Sequence, residues 1–239
     1  MLEMPPEVEV RQTADGSYTL YLPALNEHYH STHGARQESE HVFIRHGLRP
    51  LLQSGVTVNQ AALHVLEVGL GTGLNAALTA LEVGPHYTEY EALETSPVPD
   101  EVMQTLLYQH FIEGSQQLTS LGNALRAIHE LPWDAPYFSP PVHGDLRLHK
   151  RREALETADL RPDWYHLVYF DAFAPEKQPA LWTPEIFAKL YAATRPGGVL
   201  VTYCAQGQFR RNLKAAGWQV EKLPGPPGKR EMTRARKVD

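Results

Sequence analysis

Three glycines, Gly69, Gly71 and Gly73, alternate with other residues in the run Val65–Asn75. An apolar segment precedes them and helix-forming residues follow, so the run predicts a tight turn from a strand into a helix. Glycines at such a turn let a ligand approach the main-chain N–H groups at the helix N-terminus. A dinucleotide-binding loop, G-x-G-x-x-G, would need glycine where this chain has Leu74. The spacing in this chain is G-x-G-x-G instead.

Acidic residues are predicted to follow the strands beside this loop. Glu94 closes the predicted strand Thr88–Glu94, at the distance where an acid accepts hydrogen bonds from ribose hydroxyls. A G-x-G-x-G loop with such an acid resembles the class I S-adenosylmethionine (SAM)-dependent methyltransferases. The resemblance implies SAM as the cofactor, with Glu67 facing the methionine ammonium directly or through water and Asp145 beside the adenine amine. The alternatives are a tight turn without a ligand and, for Asp145, a residue that caps a turn.

The cofactor-binding residues predicted in this way lie along the loop and after the strands. They are Glu67, Gly69, Gly71, Thr72, Gly73, Asn75, Glu94, Thr95, Asp145, Leu146, Asp171 and Phe173.

A second informative stretch is Tyr169–Trp182, which reads YFDAFAPEKQPALW. An apolar strand delivers Asp171 to its carboxyl end, where open α/β sheets bind ligands. Two prolines stiffen the following loop, and Phe173 and Trp182 flank it. The stretch resembles the loop of amine- and base-modifying methyltransferases that holds a planar substrate. Asp171 would orient a substrate amine, accept its proton or stabilise the developing ammonium. The alternative is that Asp171 caps the turn and the prolines only shape the loop.

Five segments together resemble the MnmC/MnmD family, the methyltransferases that finish 5-methylaminomethyl-2-thiouridine in tRNA. They are His28–Ile44, Val65–Ala77, Val168–Phe187, Arg195–Leu213 and Gly225–Lys237. The motifs DAFAPEKQP and GPPGKREM are the most specific of these. The resemblance implies SAM-dependent methylation of the exocyclic amine of 5-aminomethyl(-2-thio)uridine at the wobble position, so the expected partner is the anticodon region of tRNA.

The resemblance also implies roles for particular residues. Asp171 is the expected catalytic residue, and an N-terminal signature around Glu38 is expected to fold over the SAM site. The predicted substrate-binding residues are Glu38, Ser39, Phe43, Pro175, Gln178, Trp182, Lys229 and Arg230. No metal is expected, because methyl transfer to an amine needs none, although the histidines between His28 and His41 could suggest a cluster.

Bifunctional members of this family carry a C-terminal flavin-dependent oxidase. Because the chain ends at Asp239, we expect it to act on the aminomethyl form or to rely on another protein for the preceding step. Docking to an oxidase or another upstream modification enzyme is therefore a further expectation, while the oligomeric state stays open.

The charge distribution bears on the RNA partner. The chain has 22 Lys and Arg against 28 Asp and Glu, a net charge of −6, which argues against coating nucleic acid through bulk charge. Residues 1–120 carry 4 basic and 15 acidic residues, whereas residues 121–239 carry 18 and 13. Three basic segments, Leu146–Arg152, Phe209–Lys214 and Gly228–Lys237, predict a phosphate-contacting surface around one site.

From Leu63 onward, short strands alternate with helices of about ten residues, which predicts a doubly wound sheet. The expected fold is α/β, a Rossmann-like, mostly parallel seven-stranded sheet with a C-terminal antiparallel pair. Residues 61–239 form the predicted methyltransferase domain. Residues 1–60 form an N-terminal extension, a β-hairpin and helix that cover the cofactor site.

The remaining composition favours a cytoplasmic protein. Its one cysteine, Cys204, allows no intramolecular disulfide, the N-terminus has no basic-then-apolar signal pattern, and no apolar run is long enough to span a membrane. Three other functions stay open at this point: a small-molecule amine methyltransferase, a nicotinamide oxidoreductase, and a non-catalytic nucleotide-binding subunit. Leu74 disfavours the oxidoreductase, and the basic C-terminal half disfavours the small-molecule enzyme.

Overall fold

A computed structural model describes residues 8–54, 62–112, 116–136 and 138–238. The N-terminal part forms a small antiparallel sheet of β1 (Glu9–Gln12), β2 (Tyr18–Leu22) and β3 (Glu27–His28). The first two strands form the predicted hairpin, whereas β3 lies in Asn26–Ala35, a polar, His-rich run that predicts a loop. A continuous helical segment follows, made of α1 (Ala35–Ser39), a π-helical stretch (Glu40–Leu48) and α2 (Arg49–Gln53).

The remaining strands form one large sheet. They are β4 (Leu63–Val68), β5 (Thr88–Leu93), β6 (Leu146–Arg151), β7 (Tyr165–Phe170), β8 (Thr194–Thr202), β9 (Gln219–Pro224) and β10 (Glu231–Arg236). Their order is β6-β5-β4-β7-β8-β10-β9. The strands from β6 to β8 are parallel, and β10 runs antiparallel between β8 and β9. The predicted seven-stranded, mostly parallel sheet with a C-terminal antiparallel pair is confirmed.

Helices cover both faces of this sheet, as the burial of β4 and β7 on both faces requires. The helices after the first large strand are α3 (Leu74–Val83), α4 (Asp100–Ile112), α5 (Gln116–Glu130), α6 (Pro184–Ala193) and α7 (Gly207–Ala215). The N-terminal helical segment packs with α3 and α5 in one core, and α6 and α7 pack in the other. No helix among the described residues has the length and apolarity to cross a membrane.

Local sequence signals explain where several helices begin. The side chain of Thr183 accepts a hydrogen bond from Ile186 N, and Pro184 opens α6, as the Thr-Pro-Glu sequence predicts. Ser96 followed by Pro97 predicts a helix that begins at Ser96, which is wrong because α4 begins at Asp100. Ser96 N is bonded to the Glu94 carboxylate, and the residue before each proline of this segment is steered away from helical geometry.

The sequence of Val142–Asp145 predicts a short strand there, which is wrong because β6 begins only after it, at Leu146. Buried and half-buried residues alternate along β6, which is the pattern of a half-buried strand. Four of its six residues are basic or His, so the pattern is hard to recognise from hydrophobicity alone. Gly144, at a φ of 59°, forms the turn that leads into β6. Asp145 and Leu146, which the sequence predicts to bind the cofactor, therefore lie at the amino end of β6 and not at its carboxyl end.

Candidate active site

A cavity of about 520 Å³ opens at the carboxyl ends of β4, β5, β6 and β7. The strand order reverses between β4 and β7, and such a switch point is where open α/β sheets bind ligands. The volume lies within the usual range for a small-molecule site, about 300 to 1,000 Å³. Residues after those strands form its floor, and the segment 27–32 together with Glu38 closes it from the N-terminal side.

The glycine loop lies close to the end of β7. Gly69 has a φ of 87°, and a Cβ there would lie 2.8 Å from the carbonyl oxygen of Asp171. Gly71 has a φ of 51°, and a Cβ there would lie 3.0 Å from the Tyr29 ring. Side chains at these two positions would strain the turn and fill space beside the cavity. The loop is therefore shaped to let a ligand approach its backbone.

Glu94 ties the glycine loop to the end of β5. Its Oε2 accepts a hydrogen bond from Gly71 N at 3.0 Å, and its Oε1 accepts one from Ser96 N at 2.8 Å. Both Glu94 and Thr95 line the cavity, as the sequence predicts. The carboxylate has acceptor capacity beyond these two bonds, which suits a ligand hydroxyl.

Asp171 lies at the carboxyl end of β7, where Asn75 holds its carboxylate. Asn75 Nδ2 donates to Asp171 Oδ2 at 2.8 Å and to Glu67 Oε1 at 2.9 Å. Burial, followed by the negative charge of Glu38, raises the pKa of Asp171 to about 7. A carboxyl group that titrates near neutral pH can exchange a proton with an amine.

Glu67 lies behind this pair and does not line the cavity. It is fully buried, and Tyr90 Oη donates to its Oε2 at 2.8 Å. Burial raises the pKa of Glu67 well above its usual value. The structure therefore does not bring Glu67 to a ligand ammonium. It acts through Asn75, whose amide it orients.

Glu38 brings a second carboxylate to the cavity from helix α1. Its side chain is only 7% exposed, and Lys229 Nζ lies 2.5 Å from its Oε1. Ser31 N donates to its Oε2 at 2.7 Å. The same ammonium lies 3.9 Å from the centre of the Tyr203 ring. Lys229 comes from the turn between β9 and β10, so this ion pair joins the two ends of the chain over the site.

The loop after Asp171 is held by its own side chains. Phe173 N donates to Gln178 Oε1 at 2.9 Å, and Trp182 Nε1 donates to the carbonyl oxygen of Phe173 at 2.9 Å. The Phe173 ring meets Tyr29 edge-on at 5.2 Å and lines the cavity. Trp182 instead lies in the aromatic core, 4.9 Å from the Phe170 ring. The structure gives Trp182 a role in shaping the loop and places it away from a substrate.

A second cavity, of about 440 Å³, adjoins the first on the side of β8 and β10. Pro175, Arg230 and Cys204 line it, and Ala174, Tyr203 and Lys229 line both cavities. The predicted substrate residues Pro175 and Arg230 therefore lie in a compartment that the glycine loop does not reach. Lys229 stands at the junction of the two compartments.

Asp145 and Leu146 lie at the amino ends of the parallel strands, whereas the cavity opens at their carboxyl ends. Leu146 is the first residue of β6 and lies opposite Thr88, the first residue of the parallel strand β5. Thr88 N donates to the carbonyl oxygen of Asp145, and Leu146 is fully buried. Because ligands meet the carboxyl ends of parallel strands, the amino end of β6 cannot present these residues to the cavity.

Two residues of the N-terminal signature also face away from the cavity. Ser39 follows Glu38 directly, and consecutive helical residues point about 100° apart. Ser39 is therefore buried, and Phe43 packs its ring 5.1 Å from that of Tyr169. Thr72 is buried in the glycine loop, where its carbonyl oxygen lies 2.9 Å from His129 Nε2.

Three acidic residues that line the cavity, Glu27, Glu153 and Glu156, were not predicted from the sequence, and Glu153 is the one closest to a strand end of the large sheet. Glu153 follows the carboxyl end of β6, lines the cavity with Leu155, and accepts a hydrogen bond from Arg151 Nε at 3.0 Å. Placing the strand at Leu146–Arg151 from its alternating pattern would have pointed to it. Tyr29 and His30 also line the cavity, and burial lowers the pKa of His30 to about 4, so its ring is neutral.

Several arginines of the three basic segments form ion pairs with acidic residues of the protein itself. Arg210 Nη1 lies 2.6 Å from Glu231, Arg234 Nη2 lies 2.7 Å from Glu221, and Arg151 pairs with Glu91. The predicted phosphate-contacting surface therefore includes only some of the basic residues in the three segments. Its exposed basic side chains within the described ranges are Arg152, Arg211, Lys214, Arg230 and Arg236.

The residues of the first cavity fit SAM. Among the described residues that line it, six carboxylates (Glu27, Glu38, Glu94, Glu153, Glu156 and Asp171) face one lysine, Lys229. Such a surface attracts the sulfonium and ammonium cations of SAM. Leu93, Leu155 and Phe173 supply apolar surface for a planar base. Within the same described ranges, no group of three or more His, Cys, Asp or Glu is arranged to hold a metal ion.

Comparisons with known proteins agree with this geometry. Residues 139–238 match the family model of a S-adenosyl-L-methionine-dependent methyltransferase. The tRNA 5-methylaminomethyl-2-thiouridine biosynthesis bifunctional protein MnmC of Chromohalobacter salexigens is 31% identical over 237 residues, 95% of this chain and 32% of that protein. The protein of the same name from Ralstonia nicotianae is 33% identical over 228 residues, 90% of this chain and 32% of that protein.

The structural comparison extends over almost the whole chain. The crystal structure of MNMC2 from Aquifex aeolicus superposes with a TM-score of 0.71 at 25% identity and covers 98% of this chain and 71% of that chain. The chain spans about a third of the length of the curated relatives it matches. Its residues 139–238 match a SAM-dependent methyltransferase family, which gives SAM as the cofactor, and the chain is similar over 90% or more of its length to part of the MnmC proteins.

Proposed function

We propose that this chain transfers the methyl group of SAM to the exocyclic amine of 5-aminomethyl(-2-thio)uridine at the wobble position of tRNA. The observation that carries the proposal is the pair of carboxylates, Asp171 and Glu38, that line the first cavity. Two acids, one of which titrates near neutral pH, suit the binding and deprotonation of a substrate ammonium. The names of the MnmC relatives support tRNA as the substrate.

The residues of the chain divide the work as follows. Glu38 and Asp171 attract the substrate ammonium, and Asp171 takes its proton so that the nitrogen lone pair is available. Asn75 fixes the carboxylate of Asp171 through the 2.8 Å hydrogen bond. The bound cofactor supplies the electrophilic methyl on its sulfonium. Positioning carries most of the catalysis in such an in-line displacement, and Phe173 and Tyr29 exclude water from it.

Methyl transfer should rise with pH through about 7, the pKa of Asp171. Below that pH the protonated carboxyl cannot accept a proton, so kcat should fall about tenfold per pH unit. The substrate amine also loses its proton more readily as the pH rises, so both effects have the same sign. Single-turnover rates between pH 5.5 and 9, with SAM saturating, measure the profile. A rate that stays flat across pH 6 to 8 would contradict the role of Asp171 as the base.

The tRNA is proposed to approach over the second cavity, where Arg230 and Pro175 lie. No RNA-binding module is recognisable in the sequence, so an extruded base and the shape of the anticodon loop supply recognition. Residues 1–60 are proposed as an extension that closes the cofactor site, because Tyr29, His30 and Glu38 line it. A tRNA substrate places the enzyme in the cytoplasm, and docking to an upstream enzyme remains a prediction.

One labelling experiment tests the proposed function. The protein is incubated with methyl-labelled SAM and tRNA that carries 5-aminomethyl-2-thiouridine, and the digested nucleosides are identified. Label in 5-methylaminomethyl-2-thiouridine is the expected result. Label that enters a metabolite extract but no RNA would instead show a small-molecule amine methyltransferase.

We propose that Glu153, and not Asp145, is the acid that lies near the adenine amine of SAM. Glu153→Gln should weaken SAM binding about tenfold, the loss expected for one charge-assisted hydrogen bond. Asp145→Asn is the matched control at the amino end of the same strand, and it should bind SAM like the unaltered protein. Calorimetric titration with SAM measures both. A weaker complex in Asp145→Asn alone would restore the role predicted from the sequence.

A further inference from the structure

We propose that the ammonium of Lys229 occupies, in the free enzyme, the place that the substrate ammonium takes, and that it leaves Glu38 when the substrate binds. The inference rests on the proposed function, because it concerns the amine substrate of that site. It assigns Lys229 the role of a displaceable internal cation, and Glu38 that of the carboxylate which both cations use in turn.

The surroundings of Lys229 Nζ are those of an alkylammonium site. The nitrogen lies 2.5 Å from Glu38 Oε1 and 3.9 Å from the centre of the Tyr203 ring. A carboxylate beside an aromatic face is a favourable environment for a cation. An aminomethyl group presents the same chemical group as a lysine side chain, a primary ammonium on a methylene carbon. The two would therefore compete for the same contacts.

The lysine can leave, whereas the carboxylate cannot. The Lys229 side chain is 34% exposed, and that of Glu38 is 7% exposed. Ser31 N holds the second oxygen of Glu38 at 2.7 Å. The backbone of Lys229 is fixed in the turn by the hydrogen bond from its N to Pro226 O at 2.9 Å. Rotation of the flexible side chain alone would therefore carry the ammonium away.

The second cavity is where the displaced ammonium goes. Lys229 already lines both compartments, and Arg230 lines the second one. The exchange leaves the charge beside Glu38 unchanged, so the buried carboxylate is never left unpaired, which would be costly. The displaced ammonium and Arg230 would then present two cations to the phosphates of an incoming RNA.

This exchange predicts opposite effects on two kinds of substrate. A nucleoside has no phosphate, so it displaces Lys229 without compensation, and removing the lysine should help it. A tRNA gains a phosphate contact from the displaced lysine, so removing the lysine should not help it. Lys229 also lowers the pKa of Asp171, so its removal should move the acid limb of the pH profile upward.

The test compares the full-length protein with Lys229→Met and with Lys222→Met, an exposed lysine of β9 outside the site. Binding of 5-aminomethyluridine is titrated in the presence of S-adenosylhomocysteine. Lys229→Met should bind this nucleoside about fivefold more tightly, close to 1 kcal/mol for one partly exposed ion pair. Lys222→Met should match the unaltered protein, and 5-hydroxymethyluridine, which carries no ammonium, should bind all three proteins equally.

A second measurement needs no variant. Lys229 of the unaltered protein is acetylated in a short pulse and quantified by mass spectrometry, with and without 5-dimethylaminomethyluridine, a cation that cannot be acetylated. Its acetylation should rise several-fold when this ligand binds, because the lysine has left Glu38. Protection of Lys229, or weaker nucleoside binding by Lys229→Met, would overturn the proposal.

The failure of the proposed function gives a different result. It is judged on the unaltered protein alone, by the absence of label in tRNA. An enzyme that methylates tRNA but whose Lys229→Met variant binds the nucleoside no more tightly refutes only the displacement. Tighter binding of SAM, instead of the nucleoside, by Lys229→Met would show that the lysine stands in for the cofactor and would also overturn the proposal.

Discussion

Replacing Asp171 with asparagine should lower kcat for methyl transfer about 10³-fold, within the range of about 10² to 10⁴ for a lost general base. Asparagine has the same shape, and its side-chain oxygen can still accept the hydrogen bond from Asn75. It cannot take a proton from the substrate ammonium, so the amine stays protonated and unreactive. SAM should still bind, because the glycine loop and Glu94 are untouched.

Single-turnover rates with tRNA, together with a SAM titration, separate the two effects. Asp163→Asn is the matched control, because the Asp163 side chain is 62% exposed and its ion pair with Lys237 Nζ, at 2.6 Å, lies outside both cavities. Loss of such a pair changes little. Normal turnover by Asp171→Asn would remove Asp171 from the catalytic role. Loss of SAM binding in the same variant would instead make the residue part of the cofactor site.

Replacing Gly69 with alanine should raise the dissociation constant for SAM about 100-fold. The new Cβ would lie 2.8 Å from the carbonyl oxygen of Asp171, at a φ of 87° that alanine adopts poorly. The loop can relieve this only by moving away from β7. Binding SAM would then restore the strained arrangement, at about 3 kcal/mol.

Gly197→Ala separates the clash from the φ strain. Gly197 has a φ of 77°, and no atom lies within 4 Å of a Cβ built there. It stands at the start of β8, away from the cavity, so this variant should lose some thermal stability and retain its SAM affinity. Equal SAM affinities in the two variants would show that close packing of the loop on β7 is not needed.

The effects of Asp171 and Gly69 are linked because both residues lie at one junction. The main chain of Asp171 packs against the glycine loop, and its carboxylate is held by Asn75 from the helix that the loop starts. A change in the loop therefore reaches the catalytic carboxylate as well. We expect Gly69→Ala to lower kcat in addition to weakening SAM binding.

The sequence alone predicted the sheet, the glycine loop, Glu94 and the position of Asp171. These features rest on local signals: apolar runs of strand length, glycines at a turn, and acids directly after strands. Parallel strands bring such acids to one edge, so short-range patterns were sufficient to place them. The same reasoning failed for Asp145. The strand was predicted to end at this residue and in fact follows it, so Asp145 lies at the amino end of β6 and not at the carboxyl end of a strand.

The tertiary structure decided what no local pattern contains. It placed Trp182 in a core and Glu67 behind Asn75, since the direction of a side chain depends on packing between distant elements. It also paired Glu38 with Lys229, which are separated by 191 positions. The residue types that support the proposed function were therefore readable from the sequence. The tertiary structure decided which of these residues meet across the cavity, because both ends of the chain fold over the carboxyl ends of the parallel strands.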